Sequence, residues 1–353
     1  MIMPKTTLNP DNAYTAAREH VALFDLSPVG KLLVTGPDAP QFVHNLCTNT
    51  VADLALGAGC PAYLCDPRAK VLFPLWIYHL RLGNGQHALW LETAAGCAQD
   101  LLTYLDRYLI SEQVEMSNVT DRFAQFHLVG PQATALLATA IADAVPTLPA
   151  WGHMERTIGT FTVHIRRFDR LGLPGYDIVV LAERRTHLQD YLLNLGAISG
   201  TSSAYETLRI EAGFPLFGID YDRERSVLEL PHFEQAVSYT KGCFPGQEPI
   251  VMARDRTGHP VRTFVGLKVL HGGPPMPGTR LLQQQREVGI VTSSTFSPRL
   301  QAPLALGYLR WGIHTPGQIV EIEPAAGARP ALVLGPPPFD LTHTATMSCT
   351  SDA

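Results

Sequence analysis

The 353 residues carry 27 lysines and arginines against 32 aspartates and glutamates, a formal net charge of -5, with 46% hydrophobic and 17% charged side chains. That length exceeds one ordinary core and suits two or three domains, and the composition is globular. A mildly acidic chain lacks the concentrated basic surface that nucleic acid requires, and no apolar run approaches the ~20 residues of a membrane helix, so neither nucleic acid nor a membrane is an expected partner.

The first elements expected are a helix from Tyr14 to Val21 and one strand running from Phe24 through Lys31 to Val34, ended by the turn Gly36-Pro37-Asp38. A helix from Ala39 to Cys47 follows. The same order of strand, Gly-Pro turn and helix recurs from Phe126 to Ala138, which suggests a pseudo-duplicated unit. Between the copies, Val71 to Leu80 and His87 to Glu92 read as a hairpin around Gly83-Asn84-Gly85, and Ala98 to Leu109 as an amphipathic helix. Phe161 to Arg167 and Gly175 to Val180 read as partner strands. A helix beginning near Ser203, with Glu206 as its reciprocal cap, runs to Gly213 and places Glu211 at its C-terminal end, where the helix dipole disfavours an anion. Beyond Thr263, short strands at Val265–Val269, Gly289–Ser293, Ala305–Leu309, Ile319–Ile322 and Ala331–Leu334 favour a small antiparallel barrel. The domains expected are 1–148, 149–262 and 263–340, with a mobile tail over 341–353.

Six cysteines, Cys47, Cys60, Cys65, Cys97, Cys243 and Cys349, follow no repeated short spacing, and Met1 to Asn9 lacks the apolar stretch of a secretory signal, so a reducing cytoplasm is the expected compartment. The segment Lys241-Gly242-Cys243-Phe244-Pro245-Gly246-Gln247-Glu248 sets one thiol between a cation and a glycine-rich bend, surroundings that lower a thiol pKa and expose it. Nucleophilic, redox and metal-ligating chemistry are all open to it, as is the plain role of a small buried apolar residue. No histidine pair has HExxH spacing, and Gly57 and Gly59 form no dinucleotide fingerprint.

This octapeptide is similar to the K-G-C-[FY]-x-G-Q-E signature of the YgfZ family of folate-binding iron-sulfur assembly proteins, a branch of the glycine-cleavage T-protein or aminomethyltransferase superfamily. Leu208 to Pro215 resembles that superfamily's L-R-x-E-x-G-x-P segment, Arg170 to Asp177 its glycine-rich strand connection, and Gly289–Ser293 with Ser297-Pro298 and Gly307-Tyr308 its C-terminal barrel. Cys65 to Lys70 resembles C-D-x-[KR]-G-K, with Ala69 in place of the glycine. The resemblance covers roughly Tyr14 to Phe339. It implies an α+β fold, a ring of two mixed α/β lobes plus a C-terminal antiparallel β-barrel, with tetrahydrofolate or a derivative in the central hole.

The resemblance also assigns roles. Cys243 and Lys241 are the expected catalytic residues, with Cys243 a transient metal ligand for an iron-sulfur cluster shared with a carrier protein, because one cysteine cannot hold a cluster alone. Glu211 is expected at the pterin edge, Gln247 as a weaker polar contact, and Arg254, Arg256 and Arg262 toward the anionic tail of the folate. The transferases of the superfamily carry an aspartate in a G-G-x-I-D-D-like strand, where it assists proton movement. Here Ala69 to Leu75 corresponds, so Phe73 and Pro74 stand at the acidic positions and neither can move a proton. The expectation is therefore an accessory protein for iron-sulfur assembly or repair. The alternatives are a folate-dependent aminomethyl or methyl transferase with a relocated acid, and an interaction module that has lost folate.

Overall fold

The computed structural model describes residues 11–231, 233–323 and 329–341. The tail from residue 342 onward, with Cys349, and the first ten residues lie outside the described residues. Two compact units emerge, one of residues up to 205 with 216–260, the other of 206–215 with 261 onward.

The strands of the first unit are, in chain order, β1 (Ala22–Asp25), β2 (Gly30–Thr35), β3 (Gly59–Cys65), β4 (Val71–Arg81), β5 (His87–Thr93) and β6 (Glu115–Asn118). Then come β7 (Phe123–Val129), β8 (His153–Ile158), β9 (Phe161–Arg167), β10 (Gly175–Leu181) and β11 (Ile198–Ser199). Its helices are α1 (Asn12–Glu19), α2 (Ala39–Leu46), α3 (Ala98–Asp106), α4 (Ala133–Ile141) and α5 (Arg185–Asn194). Helix α6 (Ser202–Ala212) starts in this unit and ends in the other, while α7 (Phe233–Ala236) and α8 (Gln247–Met252) return to the first.

The strands form a five-stranded sheet, order β3-β4-β5-β2-β6, and a six-stranded sheet, order β11-β1-β7-β10-β9-β8, so the fold has two mixed α/β lobes. The expected strand from Phe24 to Val34 is in fact two strands in different sheets. Asp25 accepts a hydrogen bond from Ser27 N at 2.8 Å, Val29 N reaches Leu26 O at 3.0 Å, and Pro28 has no donor with which to continue a ladder, so the chain turns.

Each sheet buries one face under its own helices. Leu32, Val34, Phe73, Leu75, Ile77, Leu89 and Leu91 pack on α2 and α3, while Phe126, Leu128, Ile165, Ile178 and Val180 pack on α4 and α5. The opposite faces meet between the sheets, where Tyr78, Leu80, Ala88 and Trp90 of β4 and β5 contact Val179 of β10. This second interface is polar at its centre. Arg166 pairs with Glu92 and lies over the rings of Tyr78 at 4.3 Å and Trp90 at 4.9 Å. Asp177 takes Arg170 and His127, the latter at 2.7 Å, and Gln125 Nε2 bridges Glu92 and Asp177 at 3.3 and 3.2 Å.

The second unit is a closed antiparallel barrel of β12 (Arg262–Val269), β13 (Arg280–Gln283), β14 (Arg286–Ser297), β15 (Ala302–Arg310), β16 (Ile319–Ile322) and β17 (Arg329–Gly335). Val265, Leu267, Leu281, Val291, Leu309, Ile322 and Val333 fill it. Strand β13 escapes a pattern reading because Arg-Leu-Leu-Gln is too short to show alternation. At α6, Thr201 rather than Ser203 is the cap: its hydroxyl accepts from Ala204 N at 3.0 Å, and Glu206 turns instead to Arg209.

Two histidines of β8 and β9 tie this fold to pH. Burial, reinforced by the charge of Arg166, pushes His153 and His164 down to about 4. Their folded values lie below the unfolded value of about 6.5, so the unfolded chain binds the extra protons. The stability they confer is complete above pH 6.5 and is lost as the pH falls toward 4, at about 1.4 kcal/mol per pH unit for each histidine. Urea denaturation from pH 7 to 4 is expected to show this slope, and His164→Gln should flatten it.

Candidate functional site

The octapeptide that begins at Lys241 forms an exposed tip held at both flanks. On its first flank Lys241 is half-buried, and its ammonium donates to the carbonyls of His44, Cys47 and Asn49, the last at 3.2 Å. These carbonyls lie at and beyond the C-terminal end of α2, where the helix leaves acceptors unfilled and its dipole favours a cation. Burial lowers the Lys241 pKa, and the thiols of Cys47 and Cys60 oppose the fall. Ser238 N adds a bond to Thr48 O at 2.8 Å. On the other flank Phe244 is buried, with Lys241 Nζ 5.0 Å from its ring centre.

Gly246 closes the tip with φ at 85°, in the left-handed region, and a Cβ there would stand 2.6 Å from Asp66 O and 3.1 Å from Ala69 Cα and Cys65 Cβ. Only glycine meets both demands. The contact brings the turn Cys65–Lys70 against the Cys243 tip. Between the flanks, Cys243 is exposed, whereas Cys47 and Cys65 are buried and Cys60 and Cys97 partly so. Burial raises the thiol pKa of Cys47, Cys60 and Cys65, to about 12 for Cys60, so these three stay protonated.

The turn itself keeps its form with alanine where the resembling motif has glycine. Ala69 adopts φ 59° and is buried, a conformation that costs an L-residue ~1–2 kcal/mol. Asp66 holds the turn: its carboxylate accepts from Arg68 N and Lys70 N, each at 2.8 Å, and from Arg68 Nε at 3.1 Å. The slight burial would raise its pKa, but these donors outweigh it and hold the carboxyl below its ordinary range.

Strand β4 leaves this turn with its side chains alternating between two faces. Phe73, with Leu75 and Ile77, enters the helix-covered core, its ring 5.7 Å from that of Tyr104. Pro74 takes the other face, shared with Trp76 and Tyr78. It pairs with Tyr63 of β3, but the ladder to β5 begins only at Trp76, which is why a proline fits there.

In the barrel unit, Glu211 is 5% exposed, which rules out a solvated helix position for it. Its carboxylate accepts from Ser297 Oγ and, at 3.4 Å, from Arg299 N. Arg209, two residues back and fully buried, donates to Glu206 and to Ser293 Oγ at 2.8 Å, so both charged residues of the Leu208–Pro215 segment bond to β14 or the residues just after it. Gly213, at φ 69°, ends the helix where a side chain would meet Pro337 and Phe339.

Two models of protein families match the chain: the GCVT N-terminal domain over residues 10–241 and the glycine cleavage T-protein C-terminal barrel domain over 262–340. The chain belongs to the glycine-cleavage T-protein family. It is 31% identical to an aminomethyltransferase of Thermus thermophilus over 92% of this chain and 89% of that protein. It is 30% identical to that of Lysinibacillus sphaericus over 88% and 84%. The crystal structure of the glycine cleavage system aminomethyltransferase T from Bartonella henselae superposes with a TM-score of 0.82 at 26% identity, over 94% of this chain and 89% of that one.

Within this T-protein chain the expected site residues fall into two groups. Lys241, Cys243, Gln247 and Arg254 lie in the first unit, and Glu211 and Arg262 in the barrel unit. Gln247 is the first residue of α8. Arg254 is paired through two nitrogens to Asp255, at 2.6 and 3.1 Å, and covers Tyr239, so its charge is already balanced. Arg262 is exposed at the start of β12. Among the described residues no group of three or more His, Cys, Asp or Glu side chains is placed to hold a metal ion, and no helix is long and apolar enough to cross a membrane. Sequence reading missed the carbonyl triad that receives Lys241, because backbone acceptors leave no mark on residue type.

Lys241→Met leaves this triad without its donor. It is expected to cost about 1.5–3 kcal/mol in urea denaturation, the range of a lost hydrogen bond to a charged group. In the unaltered protein, timed iodoacetamide labelling with peptide mapping should modify Cys243 before Cys47, Cys60 and Cys65.

Proposed function

We propose that the chain binds a reduced folate and acts through the thiol of Cys243, as an accessory protein of the YgfZ type in iron-sulfur assembly or repair. The observation that carries this reading is the state of β4. At the two places where the family's transferases have acids, Phe73 is sealed among the helices and Pro74 has no ionisable group. Asp66, the nearest carboxylate before them, is committed to its own turn by three donors.

The residues present suit a folate. Glu211 supplies a carboxylate acceptor, the chemistry that the pterin edge requires, and Arg262 of the same unit is an exposed cation suited to an anionic tail. A bound folate would supply a one-carbon carrier. The chain's own part is to hold it by these side chains and to present Cys243 from a tip pinned by Lys241. As a single exposed thiol, Cys243 suits transient ligation of a soft iron site whose other ligands come from an iron-sulfur carrier partner.

A second reading, folate-dependent aminomethyl transfer, is favoured by the names of the relatives, both aminomethyltransferases. It requires a proton-transferring group from outside β4. The two readings part in one set of measurements. Tetrahydrofolate at a hundredfold excess over its Kd should stabilise both the unaltered protein and Cys243→Ser by about 2.7 kcal/mol. Cys243→Ser should fail to restore iron-sulfur enzyme activity in deficient cells, and no aminomethylated or methylated donor should be consumed. Folate-dependent turnover of such a donor that survives Cys243→Ser would establish the transfer reading instead.

A further inference from the structure

The turn end of the β4–β5 hairpin, where Leu82 N bonds Gln86 O, carries chemistry that the folate site does not use. In the ladder, His79 pairs with Leu89 and His87 with Arg81, so the two histidines are diagonal neighbours on one face of the sheet. Their rings approach through His79 Nε2 and His87 Nδ1 at 3.0 Å, with ring centres 5.1 Å apart. His79 Nδ1 lies 2.6 Å from the carbonyl oxygen of Leu54. A carbonyl can only accept, so this nitrogen carries the proton and Nε2 offers its lone pair. His87 is exposed and its ring is free to adjust, while His79 is half-buried and oriented from behind.

We propose that His79 and His87 form a two-imidazole binding site for a divalent transition-metal ion of the copper, nickel or zinc class. Two imidazole nitrogens bound at ~2.0–2.1 Å, at an angle between right and tetrahedral, lie roughly 2.9–3.4 Å apart, and the pair already stands at that separation. The Leu54 carbonyl supplies the outer hydrogen bond that fixes the tautomer and ring orientation of a metal-binding histidine. Binding replaces the N–H···N bond with two N–metal bonds. His87 shifts its proton from Nδ1 to Nε2, and the neutral pair releases none. With no third protein ligand grouped there among the described residues, water fills the remaining positions. Nitrogen ligands with open positions rank copper first in affinity. The ion would brace the two strands beside the turn that joins them.

The test is a titration of the metal-free full chain with Cu2+, Ni2+ and Zn2+ by calorimetry, with electron paramagnetic resonance of the Cu2+ form. One ion per chain is expected, with two nitrogen couplings from imidazole. His87→Gln, at an exposed position, should weaken binding roughly tenfold or more and remove the thermal stabilisation that a saturating ion gives. His79→Gln should do the same, and His153→Gln should leave binding unchanged. Unaltered affinity in His87→Gln, or no saturable binding by the original chain, would overturn the site.

Discussion

Two sheets in one unit must present to each other the faces that their own helices do not cover, and in this chain those faces are closed by charge. Glu92, Arg166, Asp177, Arg170 and Lys31 are all buried between or beside the sheets and come from four strands and a loop. Burial alone would raise Asp177, but Arg170, then His127 and Arg166, hold its carboxyl well below the ordinary range. Lys31, whose ammonium donates to the carbonyls of Ser27 and Val29, is pushed down to about 8 by burial against the pull of Glu92. Such a network adds little net stability over hydrocarbon, yet losing one member strands a charge at a cost of about 3–5 kcal/mol. Its effect is to fix which strand faces which, since a register slip would unpair every charge at once.

Fixed sheets in turn fix the two turns that meet at the thiol. Strand β4 is held by β3 and β5, so the Asp66–Lys70 turn at its start has a set direction, and Gly246 packs on that turn with no room for a methyl group. The left-handed Ala69 marks the strain that this packing carries. In the barrel unit the same logic applies to Glu211, which a helix end would repel but which Ser297 and Arg299 of the neighbouring chain segment hold in place. The proposed site side chains are thus pinned by backbone groups and by residues far away in sequence.

That pinning explains what the sequence disclosed and what it kept hidden. The hairpin at 71–93, the paired strands at 161–181 and five of the six barrel strands follow from alternation and turn residues that act over a few positions. The break at Pro28 was readable in principle, but the apolar runs on both sides of it mask it. The charges of Glu92, Arg166 and Asp177 in β5, β9 and β10 gave no sign of their burial, because residue type alone does not separate a polar side chain that meets water from one that meets another sheet. Motif resemblance singled out Cys243, Lys241 and Glu211; the hydrogen-bond partners of Lys241 and Glu211, at 44–49 and 297–299, lie about 90 to 200 positions away and could not be found by spacing.

The anchoring of Lys241 by residues 44–49 has a consequence for how the molecule is made. A ribosome delivers the carbonyl receptor early and its cation nearly two hundred residues later. Until Lys241 emerges and docks, the cysteine two positions beyond it has no defined place, so the thiol is posed only once the N-terminal lobe already exists. A nascent chain stalled midway would carry the cradle without its occupant, and the thiol would join a lobe whose sheets are already complete.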